Sequence, residues 1–336
     1  WPAFTETVSG ISKYEYAIDS SSGGTAVVDW TNNNTDTSVT KAGLTLTNGT
    51  VYYISIKATD NAENESTTIT SNGVIVDTDG PIAGTVLDGP GADIDWTNST
   101  SSLTATWSGF SDTLSGIQKY EYAIGTSSGG TAVVDWTNNT TDTSVTKAGL
   151  TLTNGTTYYL SVRAADNVGN VSTIVTSDGI TIDTDVPTIS SVIEGSTTAD
   201  IDYQNSDTTL IIVWTGSDTA SGIAQYEYAL GTAAAASNTV AWTNAGTSTA
   251  DTLTGLSLTE DSTYYLSARA TDVAENLSVV ASGDGVTIDL TSPAGTIVND
   301  GTGDDIAYTG SDSTLSAVWP AFTETVSGIS KYEYAI

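Results

Sequence analysis

The sequence predicts an all-β fold built from tandem sandwich modules of 106 residues. Three observations carry that prediction. Residues 1–18 and 319–336 are the same eighteen letters, WPAFTETVSGISKYEYAI, at an offset of 318 residues, which is three periods of 106. Looser copies start at Trp107 and Trp214. Fixed-period self-similarity marks a repeat array. The second observation is composition: Thr, Val, Ile and Tyr favour strands, and Gly, Asn, Asp and Ser punctuate them. The third is period-two alternation with no sustained helical period.

The elements follow in order within one copy, 81–186. Leu103, Ala105 and Trp107 alternate with Thr104 and Thr106, a half-buried strand whose counterparts are Leu210, Ile212, Trp214 and Leu315, Ala317, Trp319. Tyr120, Tyr122 and Ile124 share the next apolar face, with Lys119, Glu121 and Ala123 opposite. Tyr158, Leu160, Val162 and Ala164 point one way, and Tyr159, Ser161 and Arg163 the other. Ile180 and Ile182 close the module. Short strands with regular turn signals give a sandwich or a barrel. Pro81, Pro187 and Pro293 recur at the period and place the boundaries, because Pro suits a linker and blocks a central strand. The expected domains are a partial module at 1–80, lacking its first strand, complete modules at 81–186 and 187–292, and the start of another at 293–336.

Composition excludes several function classes. Lys plus Arg number 8 against 40 Asp plus Glu, a formal charge of −32, so nucleic acid and anionic membranes are repelled and divalent cations attracted. With no Cys there is no disulfide, and with neither His nor Cys there is no Ser-His-Asp triad, thiol nucleophile or ordinary zinc site. Acids that recur at matching places argue against a glycosidase pair, so no enzyme is expected. No apolar run is long enough to span a bilayer as a helix.

Leu152-Thr-Asn-Gly-Thr156-Thr-Tyr158, followed by alternating Leu160, Val162 and Ala164, resembles the E–F corner and F strand of fibronectin type III domains. It recurs as Leu46…Thr50…Tyr52 and Leu258…Ser262…Tyr264. In that family the tyrosine hydroxyl bonds back to the chain upstream. Ser115-Gly116-Ile117, Tyr120-Glu121-Tyr122-Ala123, residues Ala165 to Ser172 and the linker Asp183-Thr-Asp185-Val-Pro187 resemble the bacterial Ig-like repeats of giant secreted surface proteins. These resemblances imply tandem immunoglobulin-like, fibronectin type III-like β-sandwich modules arranged end to end as a rod. They imply a structural segment of an extracellular bacterial stalk or filament that carries an adhesive or grappling tip away from the cell surface. Two alternatives stay open: modules that bind glycans or a protein partner through exposed aromatics, and lateral self-assembly into a homo-oligomeric bundle.

The chemistry is expected at the junctions. In the implied fold the B–C and F–G loops lie beside the incoming linker. That gathers Asp77, Asp79, Asp112, Asp166 and Asn170 at one joint, and Asp183, Asp185, Asp218, Asp272 and Glu275 at the next. Calcium takes six to eight oxygens, so calcium that stiffens the joints is one reading. The other is solvated acidic loops in which Asp makes Asx-turns. The third joint keeps Asp289 and loses the second linker Asp, with Glu260 and Asp261 as candidate replacements. Trp107, Trp214 and Trp319 are expected in the core. Trp30, Trp136 and Trp242 are expected over a sheet edge, and Tyr53, Tyr159 and Tyr265 face outward, either to bind or to cover small residues. Asn48-Gly-Thr50, Asn98-Ser-Thr100 and Asn154-Gly-Thr156 fit turn chemistry better than glycan attachment.

Overall fold

The computed structural model describes residues 1–195 and 199–336. Among them there is no helix, and so none long and apolar enough to cross a membrane. The chain divides into two bodies. The first comprises 1–95, 101–151 and 156–180; the second comprises 96–100, 152–155 and 181–336.

In the first body, the copy nearest the start forms one antiparallel sheet in the order Val28–Asn32, Ile11–Asp19, Val51–Asp60, Ile69–Thr70. Tyr14, Tyr16, Ile18, Val28, Ile56 and Ala58 form its core, with Trp1 and Phe4 packed on it. The next copy forms two facing sheets. One is Ser144–Ala148, Ser102–Ser108, Thr85–Asp88, and the other runs Val134–Asn138, Ile117–Gly125, Thr157–Asp166, Val175–Thr176. Leu103, Ala105 and Trp107 are buried on the first, and Tyr120, Tyr122, Leu160 and Val162 on the second. The Trp107 and Tyr120 rings meet edge-on, 5.8 Å between centroids.

The second body repeats the plan. Thr188–Glu194, Thr209–Ser217 and Ala250–Thr254 form one antiparallel sheet. The other runs Val240–Gly246, Ile223–Gly231, Thr263–Asp272, Val286–Ile288, with Tyr203–Gln204 added in parallel at its edge. Leu210, Ile212 and Trp214 pack against Tyr226, Tyr228, Leu230, Leu266 and Ile288. The tyrosine corners hold as the resemblance implied: the hydroxyls of Tyr52 and Tyr264 accept the Thr47 and Thr259 N–H, each at 3.0 Å.

Alternation identifies the buried faces, but two outward positions are also covered. Ala123 and Ser161 are both 0% exposed. The turn after Ile117–Gly125 folds over them, and Gly129 N–H donates to Ser161 Oγ. The second tryptophan set stands on the edge strands under cations. Arg163 lies 4.3 Å from the Trp136 ring centre and donates to Glu121, and Arg269 does the same with Trp242 and Glu227. Lys57 takes that place over Trp30. Such a contact stabilises by about 0.5–1 kcal/mol at an exposed site.

Tyr53, Tyr159 and Tyr265 lie against Gly73, Gly179 and Gly285, all at positive φ. A Cβ at any of the three would come within 3.0 Å of the tyrosine ring. The rings cover bare backbone, as the covering reading expects.

Candidate functional site

Each acidic loop is first a turn. Asp112 Oδ1 accepts the N–H groups of Leu114, Ser115 and Gly116 at 2.6–3.1 Å. Asp166 Oδ1 accepts those of Val168, Gly169 and Asn170, and its Oδ2 accepts Asn170 Nδ2. Burial by itself would raise the Asp166 carboxyl. The Asn170 side chain and the amides of Asn170, Val168 and Gly169 outweigh it and hold the group below the usual carboxylate range. The Asx-turn reading is therefore realised in these loops.

The same turns converge their carboxylates. Asp77, Asp112 and Asp166 each offer an oxygen within 4.8 Å of the other two, and Asp183, Asp218 and Asp272 form the matching group. Asp77 Oδ2 is buried with no hydrogen-bond partner. Asp183 takes the Asp185 N–H on Oδ1 and the Ser221 N–H on Oδ2.

The remaining predicted residues do other work. Asn170 Nδ2 donates to the carbonyls of Asp77 and Asp79, and Asn276, not Glu275, donates to the Asp183 carbonyl. Asp79 and Asp185 stand outside the clusters and accept Asn48 and Asn154 at 2.6 and 3.1 Å. Glu275 is exposed, at φ +71°, and its N–H bonds the Asp272 carbonyl. Asn48 and Asn154 also take the linker N–H of Thr78 and Thr184, so both side chains serve turn chemistry. At the third joint Glu260 fills their role, accepting Leu290 N–H and Thr291 Oγ1–H. Asp261 supplies only its backbone, at φ +60°, where the other copies have Gly49 and Gly155.

Sequence reasoning missed a second family of clusters: Asp88, Asp93 and Asp178 in one copy, Glu194, Asp200 and Asp284 in the next. Asp88 and Glu194 end their strands at inward positions and are 0% exposed. Burial, foremost, and the nearby charges of Asp93 and Asp178 push the Asp88 carboxyl up to about 6, against the neighbouring Ser177 hydroxyl and the Gly179 N–H. Burial does the same to Glu194, up to about 7, with Asp200 and Asp284 adding and the Leu266 N–H opposing. The signal was available: Val86 and Asp88 share a face in the alternation, and acids recur at 88, 194 and 300.

No family model matches this chain. Exoglucanase B of Cellulomonas fimi is 30% identical over 191 residues, which is 54% of this chain and 16% of that protein. The chain therefore matches only a small part of the relative's length. Among solved structures, the chicken CNTN1 FN1–FN3 domains align at 14% identity and TM-score 0.35, covering 82% of this chain and 91% of theirs. The fibronectin(III)-like modules of Clostridium thermocellum CbhA align at 14% identity and TM-score 0.37, covering 61% and 94%.

Proposed function

We propose that the chain is a non-catalytic structural repeat segment of an extracellular bacterial protein. Its modules stack end to end and hold a functional domain at a distance. One observation carries this reading. The copies reproduce the same internal bonds at the same places, from tyrosine corner to linker clamp, and the joint acids Asp112, Asp166, Asp218 and Asp272 all serve turns. A part built to be reiterated extends reach; a reaction centre needs no reiteration. The partial likeness to an exoglucanase suits a spacer inside a larger polysaccharide-acting or surface-bound protein. The finer proposal is a stalk that carries an adhesive tip.

At the joints, calcium on Asp77, Asp112 and Asp166, and on Asp183, Asp218 and Asp272, would stiffen the array. The buried, unpartnered Asp77 Oδ2 supports that role. The outward tyrosines on glycine and the tryptophans under arginine and lysine support a covering role over glycan binding.

Small-angle scattering of the chain with and without millimolar calcium tests the proposal. At about 3.3 Å per residue, strands of eight to ten residues give modules of roughly 25–35 Å and an array on the order of 100 Å. A compact globule would overturn the spacer reading. An unchanged length and joint flexibility in calcium would remove the clamp and leave the spacer.

A further inference from the structure

The second family of clusters is built differently from the joints. Each has one carboxylate wholly inside the module, and that carboxylate lacks a partner for one oxygen: Asp88 Oδ1 and Glu194 Oε2 are buried with no hydrogen bond. The other oxygen is held in both. Asp88 Oδ2 accepts the Gly179 N–H at 3.0 Å, and Glu194 Oε1 accepts the Leu266 N–H at 2.8 Å. In each copy an outer acid also accepts the N–H of the inner one: Asp93 that of Asp88, and Asp200 that of Glu194. The groups that act on Asp88 are Ser177, Gly179, Asp93 and Asp178, and no cationic side chain is among them. A buried carboxylate facing two more acids calls for a compensating positive charge.

The copies preserve this placement through a paired change. Asp88 faces Ser177; 106 residues on, the acid is one methylene longer and Gly283 stands in the serine's place. A Cβ at 283 would fall on the Glu194 carboxylate. Ser177 Oγ accepts the Leu160 N–H at 3.0 Å, the bond that Glu194 itself makes to Leu266. Both solutions keep a buried carboxylate at the end of the first strand, beside two outer acids.

We propose that each complete module holds a divalent cation of the calcium type here, on Asp88, Asp93 and Asp178 in one copy and on Glu194, Asp200 and Asp284 in the next. The inner carboxylate supplies the unpartnered oxygen and the two outer acids close over the ion. Water completes the six to eight oxygens that calcium takes. The ion ties the end of the first strand to the loop before the last strand, within one module. The assignment does not depend on the joint clusters.

Residue-resolved amide shifts of the full chain, followed through a calcium chloride titration in chelator-treated buffer, test it. The pH is held above the raised carboxyl values of Asp88, Glu194 and Asp200. Saturable shifts are expected at Leu266 and Gly283, and at Leu160 and Gly179 in the other copy. Glu194→Gln and, separately, the exposed pair Asp200→Asn with Asp284→Asn should each weaken the response at Leu266 and Gly283 by about tenfold or more. The amides of Leu160 and Gly179 should respond as before, which reports a folded chain. Absence of saturation at these four amides overturns the proposal. So does an unchanged response in the Asp200/Asp284 variant, which would mark diffuse screening. The joints report separately through Gly116, Gly169 and Gly222.

Discussion

The exchange of Asp88 and Ser177 for Glu194 and Gly283 makes a quantitative prediction about packing in metal-free buffer. Gly283→Ser alone places a Cβ on the Glu194 carboxylate, which must leave its pocket; overpacking of this kind costs about 1–3 kcal/mol. Glu194→Asp alone withdraws the acceptor from the Leu266 N–H, and an orphaned buried N–H costs about 1–3 kcal/mol. Together the two changes recreate the neighbouring copy's pair, in which a serine hydroxyl accepts the corresponding amide. The double variant should therefore be less than about 1 kcal/mol from the parent, which makes the coupling between the sites at least about 1 kcal/mol. Native-state hydrogen exchange at the Leu266 amide measures this, with Leu160 as the unperturbed reference. If the double variant loses the sum of the two single losses, the pairing argument fails.

Three further outcomes follow from single contacts. Trp214 is fully buried, so Trp214→Ala should cost about 3–5 kcal/mol. Its Nε1 has no partner, so Trp214→Phe should cost less than half as much in urea unfolding. The Tyr228 phenol is pushed up to about 12 by burial, foremost, and by Asp251, whose Oδ2 accepts its hydroxyl at 2.7 Å. Because the folded value lies above the unfolded one of about 10, this stabilisation is complete below that pH and is lost as pH rises through the folded value. Burial also raises Tyr120, Tyr122 and Tyr226, so ultraviolet titration should show several late phenols, of which Tyr228→Phe removes the last to ionise. Gly179 (φ +110°) carries both backbone strain and a clash with Thr157 and Tyr159, whereas Gly169 (φ +100°) faces open space. Thermal melts should place Gly179→Ala about 1–3 kcal/mol below the parent, and Gly169→Ala nearer it.

What the sequence made legible was whatever obeys one periodic rule. Alternation located Leu103, Ala105, Trp107 and the inward tyrosines, because a strand with one wet face sorts its side chains by polarity. It misread Ala123 and Ser161, because a loop folds over the outward face and period-two reasoning has no term for that. It missed Asp88 and Glu194 for a sharper reason. An acid at an inward position contradicts the polarity rule, and position alone does not tell an irregular strand end from a placed charge. Among the joint acids, sequence order found those whose loops converge. It also included Asp79, Asp185 and Glu275, whose backbone neighbours reach the joint while their own carboxylates do not.

The repeat itself supplies the missing discrimination. Copies of one module are the same fold solved with different residues, so correlated changes between them identify contacts. The copy with Trp107 carries Phe110 against Tyr120 and Gly84. The copy with Trp214 has lost that phenylalanine: Ile189 packs on its core, and the Tyr226 hydroxyl donates to the Gly216 carbonyl at 3.0 Å. One side chain is deleted and a neighbour grows, as at Ser177 and Gly283. An inward acid that changes its length in step with the residue facing it belongs to the same class of placed groups. A strand end tolerated by accident would have no reason to keep its carboxylate within reach of two others.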